Sequence, residues 1–412
     1  MEKKGVSHMI RFIHTADLHL DRPFVGLSHL PNKIYHRMRE STFTAFDTII
    51  KKAIETKVDF IIIAGDIFDG SHRSFKAQNR FITGMRKLHQ AGIHVYLSYG
   101  NHDHLNDDWN RLSFPDNVHV FPPEVKRFTF SKAGDNRCDL YGFSYKEKHI
   151  QNNMIPFYPE KEGSHYHIGI LHGAEKEPSN ENHYAPFLTS ELIDLHYDYW
   201  ALGHIHKREK LSLNHDIWYP GNIQGLSKKE TGVKGASLVE MDHTHVHTSF
   251  FPTSDVVWDE ANLNIERTEK IDRVIHQIDQ LKDEKRSQTN GTLLTLYIEG
   301  STSLLQGRDV DEKIEELLES VRDEEEERDD FVWIVSIINQ TDPLWDIDEL
   351  KQNNYFIGDV LKEIDSINMG SALSILYHHH LGKRYLGNIT DEVRQSIKHE
   401  AEKLIVQALY KG

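Results

Sequence analysis

Short runs of apolar residues mark the first half of the chain, and each run ends at a glycine or a cluster of polar residues. Runs of this kind predict buried strands. We expect strands at 11–16, 59–64, 93–98, 167–171 and 199–202. Between the first three strands, apolar residues recur at helical spacing over 34–57 and 75–90. Strands that alternate with helices indicate β-α-β units with right-handed crossovers.

The pattern changes between 118 and 145, where three short strand-like pieces read VHVF, KRFTF and CDLYGFSY. The pieces are separated by Pro122-Pro123 and Gly134-Asp135. Their close spacing predicts antiparallel sheet, with no further β-α unit in this stretch.

After about Trp258 the charge pattern changes and a second architecture begins. Helices at 268–281 and 310–328 are expected to alternate with strands at 292–299 and 331–338, which predicts a compact α/β unit. From Trp345 onward only helices are expected, at 348–364, 371–381 and 391–410. We therefore expect a main α/β domain, a small α/β domain and a helical region, at 10–255, 256–344 and 345–412.

Composition places the chain among soluble globular proteins, because 38% of its 412 residues are hydrophobic and 27% are charged. No apolar run approaches the roughly 20 residues that cross a bilayer, and the start of the chain is too short and polar for a signal peptide. The single cysteine, Cys138, excludes an intramolecular disulfide and a thiolate zinc site, and it fits a reducing compartment. We expect a cytoplasmic protein without a membrane segment.

The formal net charge of −16 is unusual for a protein that binds nucleic acid, because such proteins usually carry a basic surface. An acidic total does not exclude the function. Charge can be segregated on the surface, and a site that binds divalent cations must itself be acidic.

Side chains that can bind metals follow each of the five predicted strands. In chain order they are Asp17, His19, Asp66, Asn101, His172, His204 and His206. Asp17 and His19 are two residues apart, so in extended backbone they project to the same side, and the same holds for His204 and His206. His14 lies inside its strand and is expected to be a core residue.

Two metals that share one carboxylate would use this set fully. Asp66 is the shared residue. The first metal would add Asp17, His19 and His206, and the second would add Asn101, His172 and His204. Oxygen and imidazole ligands without thiolate favour Mn²⁺, Fe²⁺, Zn²⁺ or Mg²⁺, with Mn²⁺ preferred. A pair of such metals clamps a phosphate and lowers the pKa of a bridging water.

For several polar residues along the chain, a simpler structural interpretation has to be set beside a role in metal binding or catalysis. Gly65-Asp66 can be a plain turn, with Asp69 as the N-cap of the next helix. His102 stands next to Asn101 and should point elsewhere, which leaves it free to act on a substrate. The alternating His243, His245 and His247 are interpreted as the polar face of a strand, and His378 to His380 lie in a helical context and cannot all face one way.

The motifs D-x-H, G-D-x-x-D, G-N-H-D, H-G and G-H-x-H, in this order, resemble the calcineurin-like metallophosphoesterase superfamily. Within it, five segments are similar to SbcD-type DNA repair nucleases and most of all to their YhaO group: HTADLHLD at 14–21, GDIFD at 65–69, GNHD at 100–103, LGHIH at 202–206 and YPGN at 219–222. The resemblance covers about 10–255, and the tail is similar only in layout. Asn222 departs from the serine of the SbcD-type YPGS.

This resemblance implies a four-layer α-β-β-α sandwich with a small capping domain and a helical C-terminal region. It implies two divalent metals, a metal-bridging water that attacks phosphorus, and His102 assisting the leaving oxygen while Asp69 orients its imidazole. The expected function is a DNA exonuclease or end-processing nuclease in DNA repair, whose partner is an SbcC-like coiled-coil ATPase docked on the helical region. A homodimer like those of the family stays open, although no dimer signature is found.

Other activities use the same kind of site, so two alternatives remain. One is a phosphodiesterase or phosphomonoesterase for small molecules such as cyclic nucleotides. The other is a scaffold whose metals are structural. Candidate phosphate contacts follow the metal-bearing strand ends, and they are Arg22, Arg73, Lys76, Lys207 and Arg208.

Overall fold

A computed structural model describes residues 9–70, 73–106, 113–132, 137–163, 165–176, 184–242, 245–287, 290–307, 309–342, 344, 347–353, 355–379 and 390–409. The chain forms two units. The first comprises Met1–Asp259, Arg286–Leu293 and Glu326–Val332, and the second comprises Glu260–Lys285, Leu294–Glu325 and Trp333–Gly412. The three-part division expected from the sequence stays a prediction.

The first unit contains two six-stranded sheets. The first sheet is built from β1 (Ile10–Thr15), β2 (Phe60–Ala64), β3 (His94–Ser98), β4 (Val118–Val120), β11 (Gly235–Met241) and β12 (Val246–Pro252), in the order β12-β11-β1-β2-β3-β4. Strands β1 to β4 are parallel, and β11 and β12 are antiparallel additions. Helices α1 (Asn32–Thr56) and α2 (Phe75–Gln90) connect β1 to β2 and β2 to β3, which confirms the predicted β-α-β units.

The second sheet is built from β5 (Lys126–Ser131), β6 (Arg137–Gly142), β7 (Tyr166–His172), β8 (Tyr199–Gly203), β9 (Glu209–Lys210) and β10 (Ile217–Tyr219), in the order β5-β6-β7-β8-β10-β9. Strands β6, β7, β8 and β10 are parallel, and β5 and β9 are antiparallel edges. A 3-10 helix at Ile155–Phe157 and helix α3 (Thr189–Asp194) accompany this sheet.

Side chains that point alternately to the two faces of each strand allow these elements to pack in layers. On β1 and β2, Phe12 and Ile62 belong to the core between the two sheets, whereas Ile13 and Ile61 pack with α1 and α2. A third cluster covers the outer face of the second sheet and includes Leu192 of α3. Since adjacent strand residues point to opposite faces, one run of apolar residues serves two cores. The four-layer α-β-β-α sandwich is confirmed.

The prediction for 118–145 is partly wrong. β5 and β6 pair antiparallel as expected, but β4 extends the first sheet and runs parallel to β3. The short pieces therefore belong to two sheets. Pro122-Pro123 separates them, because proline lacks the N–H that would continue the ladder.

The second unit contains most of a three-stranded sheet with the order β13-β14-β15, and helices follow it. Its elements are β13 (Val256–Asn264), α4 (Ile271–Lys285), β14 (Gly291–Ser301), α5 (Val310–Arg322), β15 (Val332–Asp342), α6 (Ile347–Asn353), α7 (Tyr355–Ser366), α8 (Met369–His378) and α9 (Asp391–Leu409). The acidic helix ends earlier than the predicted residue 328. Arg322 donates to the carbonyls of Ile334 and Val335, and a 3-10 turn follows at Glu325–Glu327.

Within the described ranges, no helix combines the length and apolar character needed to cross a membrane. Of the alternating histidines, His245 and His247 are exposed at β12, and His243 lies outside the described residues. His380 also lies outside them. His14 is a core residue as predicted: Nε2–H donates to the Leu202 carbonyl at 3.0 Å and Nδ1 accepts from the Tyr199 hydroxyl at 3.0 Å.

Candidate metal centre

The carboxyl ends of five parallel strands bring the predicted side chains together. β1, β2 and β3 of the first sheet and β7 and β8 of the second end at these residues. Backbone hydrogen bonds join the first two ends, since the N–H of Asp17 donates to the Gly65 carbonyl and the N–H of His19 to the Asp66 carbonyl, both at 3.1 Å. Irregular backbone beyond strand ends is where a rigid sheet can position reactive side chains.

The first cluster contains Asp17, His19 and His206, with one ligand atom of each within 4.8 Å of the others. The Nε2 atoms of His19 and His206 are 3.1 Å apart. Two imidazole nitrogens that each sit about 2.1 Å from one metal at a right angle have this separation. The two rings therefore converge on a position that suits a cation.

The second cluster contains Asp66, His172 and His204, again within 4.8 Å. The amide oxygen of Asn101 completes it, 2.9 Å from Nε2 of His172 and 3.1 Å from Nδ1 of His204. Nδ1–H of His172 donates to the Ala64 carbonyl at 2.8 Å. That hydrogen bond selects the tautomer in which Nε2 presents its lone pair to the cluster.

Asp66 lies between the clusters. Its Oδ2 is 3.9 Å from Nε2 of His19 and 3.4 Å from Nε2 of His172. Its Oδ1 accepts the backbone N–H of His102 at 2.9 Å. One carboxylate thus faces one imidazole of each cluster, which is the position expected of a bridging ligand.

Backbone strain is concentrated at the same place. Positive φ values occur at Asp17 (51°), His19 (41°), Asp66 (52°) and His204 (98°). Such conformations cost roughly 1–3 kcal/mol each in non-glycine residues and persist where the surroundings enforce them. The sequence analysis assumed that extended backbone makes these side chains project to the same side. That assumption was wrong, because left-handed turns aim the side chains inward. At Gly100 a Cβ would overlap both Oδ1 of Asp66 and the ring of His172.

His102 and Asp69 form a pair beside the clusters. Nδ1 of His102 is 3.0 Å from Oδ1 of Asp69, which is also 3.4 Å from Nδ1 of His19 and 3.5 Å from Nη1 of Arg22. The open alternative that Asp69 caps α2 is wrong, because Ser74 is the N-cap and its hydroxyl accepts the N–H of Ala77 at 3.0 Å.

Comparison with known proteins gives the family. A model of the calcineurin-like phosphoesterases matches residues 10–208. The chain is also 34% identical over 404 residues to the uncharacterized metallophosphoesterase YhaO of Bacillus subtilis (strain 168), covering 97% of this chain and 98% of that protein. This chain is a calcineurin-like metallophosphoesterase. The resemblance stated from the motifs is confirmed.

Two further relatives of this metallophosphoesterase are more distant. The DNA double-strand break repair protein Mre11 of Methanocaldococcus jannaschii is 25% identical over 288 residues, covering 66% of this chain and 74% of that protein. The SbcD component of the nuclease SbcCD of Escherichia coli (strain K12) is 36% identical over 112 residues, covering 26% of this chain and 25% of that protein.

The electrostatics of the metallophosphoesterase site favour an ionised Asp66. Burial opposes its ionisation, but His172 and then His19 and His102 hold the pKa of its carboxyl well below the usual value. For His172, burial is likewise outweighed by Asp66 and Asp17, which raise its pKa to about 9, so without a cation Nε2 carries a proton that a bound metal would replace. Burial and the neighbouring His172 lower the pKa of His204 to about 3. His204 therefore stays neutral and keeps a lone pair for a cation.

The donor set fits the divalent metals that the metallophosphoesterase family implies. It offers carboxylate, amide and imidazole atoms, without thiolate, in two groups that converge around Asp66. Mid-series divalent ions prefer such ligands.

Two residues that complete the site were missed in the sequence. Glu230 accepts from Nδ1 of His206 at 2.8 Å and also from Asn222 Nδ2 at 2.6 Å. Asp103 is fully buried and accepts the N–H groups of Ile67 and Gly100, both at 2.7 Å. Asp103 stands within the GNHD motif and could have been found there, whereas no local pattern marks Glu230.

The phosphate contacts expected from the sequence have different surroundings. Arg22 faces Asp69, and Arg73 donates to the carbonyl of His102. Lys76 pairs with Glu40 on α1. Arg208 packs over the rings of Trp218 and Phe250, whereas Lys207 is exposed. Arg22 and Arg73 are thus the members of this set that contact Asp69 and His102, and the phosphate contacts stay a prediction.

Proposed function

We propose that this metallophosphoesterase is a metal-dependent phosphodiesterase that acts on DNA as an exonuclease or end-processing nuclease. The observation that carries the proposal is the position of Asp66 between two imidazole clusters, with His102 and Asp69 directly beside them. Relatives named for DNA double-strand break repair and for the nuclease SbcCD support DNA as the substrate.

The proposed ligands are Asp17, His19 and His206 for one cation and Asn101, His172 and His204 for the other, with Asp66 shared. Bound divalent cations would supply Lewis-acid stabilisation of phosphate oxygens and a more acidic water. Mn²⁺ is our preferred metal. Glu230 holds Nδ1 of His206, so that Nε2 of this ring is directed at the first cluster.

His102 is proposed as the group that assists the leaving oxygen. Burial lowers its basicity, but the hydrogen bond to Asp69 and the charge of Asp66 outweigh this and raise the pKa of His102. The raised pKa favours an imidazolium whose Nδ1–H is held by Asp69. Nε2–H is then left to donate a proton to the departing alkoxide.

The test is hydrolysis of end-labelled duplex and single-stranded DNA in a series of divalent metals, with EDTA as the control. We expect metal-dependent release of labelled products that EDTA abolishes. His102→Ala should slow release by about 10²- to 10⁴-fold, the usual range for general acid catalysis. Unchanged hydrolysis of every phosphodiester in His102→Ala would overturn the catalytic role and favour a structural metal site.

A phosphodiesterase for small molecules is the second candidate, and the net charge of −16 favours it, because polymeric DNA binding usually needs a basic surface. Turnover of labelled duplex DNA and of a cyclic nucleotide should be compared under the same Mn²⁺ conditions. Faster turnover of the cyclic nucleotide, by kcat/KM, would replace DNA as the proposed substrate.

We also propose a coiled-coil ATPase of the SbcC type as the partner, which would supply DNA affinity that an acidic protein lacks. The proposed docking region is the helical region 345–412, where Ile375 and Leu376 of α8 are exposed by 81% and 57%. A role in DNA repair is part of the same proposal. The cytoplasm is the proposed location, because the single cysteine, Cys138, fits a reducing compartment.

A further inference from the structure

A cavity of about 400 Å³ in the first unit is connected to the His102–Asp69 pair through two of its lining residues, Arg22 and Arg73. Its lining side chains include three arginines, and we call it the arginine pocket: Arg22, Arg39, Arg73, Asp21, Phe24 and Tyr35. The volume lies within the usual range for ligand sites, about 300–1,000 Å³.

Two of the arginines contact the proposed catalytic pair. Nη1 of Arg22 is 3.5 Å from Oδ1 of Asp69, and Nη2 of Arg73 donates to the backbone carbonyl of His102. Asp21 accepts a hydrogen bond from Ser74 at the N-terminus of α2 and is thus fixed at the rim. A ligand in the pocket would therefore lie next to His102.

Arg39 supplies the cation that is available to a ligand. It stands on α1 and is exposed, and within the described part of the chain its guanidinium has no hydrogen-bond or ion-pair partner. The three arginines face two carboxylates, Asp21 in the lining and Asp69, which pairs with Arg22, so one net positive charge remains in a chain whose total is −16. Guanidinium groups bind phosphate in a planar, two-pronged geometry, which makes a phosphate monoester or diester the fitting ligand.

We infer that the arginine pocket binds a second phosphate that the leaving group carries, and that this contact selects nucleotide chains over simple diesters. The inference rests on the proposed function, because His102 beside the pocket is the group assigned to the leaving oxygen. A diester whose leaving group has a phosphate of its own reaches Arg39, whereas one that departs as a bare alcohol or phenol does not. The pocket thus determines specificity.

The test compares three dinucleotides with one scissile bond: TpT, pTpT and TpTp. Identifying the products shows which nucleoside leaves, and only one of the two added phosphates is on that nucleoside. We expect the added phosphate on the leaving nucleoside to raise kcat/KM by about tenfold or more, which is the effect of one charge-assisted hydrogen bond. The added phosphate on the other nucleoside should have little effect. Equal gains from both phosphates, or from neither, would overturn the inference.

Arg39→Ala should remove the gain, so that kcat/KM on the dinucleotide with the added phosphate falls to the value on TpT, with the loss expressed in KM. Arg39→Lys should retain part of the gain. Arg86→Ala is the matched control, because Arg86 is an exposed arginine on α2 outside the pocket. A gain that persists in Arg39→Ala, or is lost equally in Arg86→Ala, would contradict the assignment.

Binding separates this inference from the proposed activity. Thymidine 3′,5′-bisphosphate and thymidine 5′-monophosphate can be titrated calorimetrically with Mn²⁺ present, whether or not any diester is cleaved. Tighter binding of the bisphosphate that is lost in Arg39→Ala supports the pocket even if hydrolysis fails. Hydrolysis of DNA together with equal binding of both nucleotides would leave the activity standing and refute the pocket.

Discussion

At the scale of single residues, the site depends on two carboxylates three positions apart that have different surroundings. Asp66 faces imidazoles of both clusters, whereas Asp69 contacts His102, His19 and Arg22. Their sequence context, GDIFD, is nearly symmetric and does not separate the roles. Asp66 has a left-handed backbone, with φ of 52°, and its carboxylate faces His19 at the end of β1 and His172 at the end of β7.

Exchanging each carboxylate for its amide should therefore have different effects on metal content. Asp66→Asn should lose most of both metals, because a neutral amide replaces the charge shared by the two clusters. Asp69→Asn should keep them. Elemental analysis after dialysis, with circular dichroism to check folding, measures this. Equal metal content in the two variants would contradict the distinct roles.

The role of His102 predicts a dependence on the leaving group. His102→Ala should slow cleavage of an alkyl diester such as TpT by about 10² or more, since an alkoxide needs a proton to depart. Cleavage of bis(p-nitrophenyl) phosphate should fall much less, because p-nitrophenolate leaves without protonation. His89→Ala, an exposed histidine of α2, is the control. An equal loss on both substrates would point to a structural role for His102.

His14 gives a prediction on stability and pH. Burial is the main cause that lowers its pKa to about 3 in the folded protein, whereas the ordinary pKa of 6.5 applies in the unfolded chain. As pH falls through 6.5, the unfolded chain binds a proton that the folded one does not, so stability decreases. Between pH 7.5 and 5 the loss from this residue is about 2 kcal/mol. Denaturant unfolding should show a shallower pH dependence in His14→Gln and an unchanged one in His89→Gln.

At the scale of elements, the sequence was sufficient for the strands that carry the site. β2, β3, β7 and β8 were predicted within one residue at each end, because glycine and polar residues terminate strongly apolar runs. The positive φ values at Asp17 and His19 had no local signal, since neither residue type requires that conformation. Glu230 reaches His206 across 24 positions, and contacts of this kind depend on the folded chain.

Asp103 connects two of these strand ends and should couple stability to metal binding. It accepts Ile67 N–H, beside Asp66, and Gly100 N–H, beside Asn101. Asp103→Asn places an amide NH₂ against at least one of these donors, which should cost about 1–3 kcal/mol of unfolding free energy. Metal affinity should fall as well. Asp116→Asn, at an exposed aspartate, is the control, and an unchanged midpoint of unfolding in Asp103→Asn would contradict this account.

At the scale of the whole molecule, the acidic total conflicts with DNA as a substrate unless affinity comes from a few sites or from a partner. The arginine pocket answers the first requirement for a single phosphate. It does not supply a basic surface along a duplex, and phosphate contacts dominate affinity for duplex DNA. A partner that binds DNA is therefore the second requirement, and the helical region is where we place it.

Exposed apolar side chains on α8 and α9 make that placement testable. Ile375 is 81% and Leu404 is 65% exposed, and both would be desolvated by a coiled-coil partner. Replacing both by aspartate should reduce co-purification with an SbcC-like ATPase by about tenfold or more, the effect expected at the centre of an interface.

Val25→Asp is the matched control, since Val25 is 91% exposed but lies in the first unit. Because the metal clusters lie in the first unit, hydrolysis of bis(p-nitrophenyl) phosphate should be unchanged in all variants. Co-purification that survives both substitutions and removal of the residues after Trp345 would exclude the helical region as the docking site.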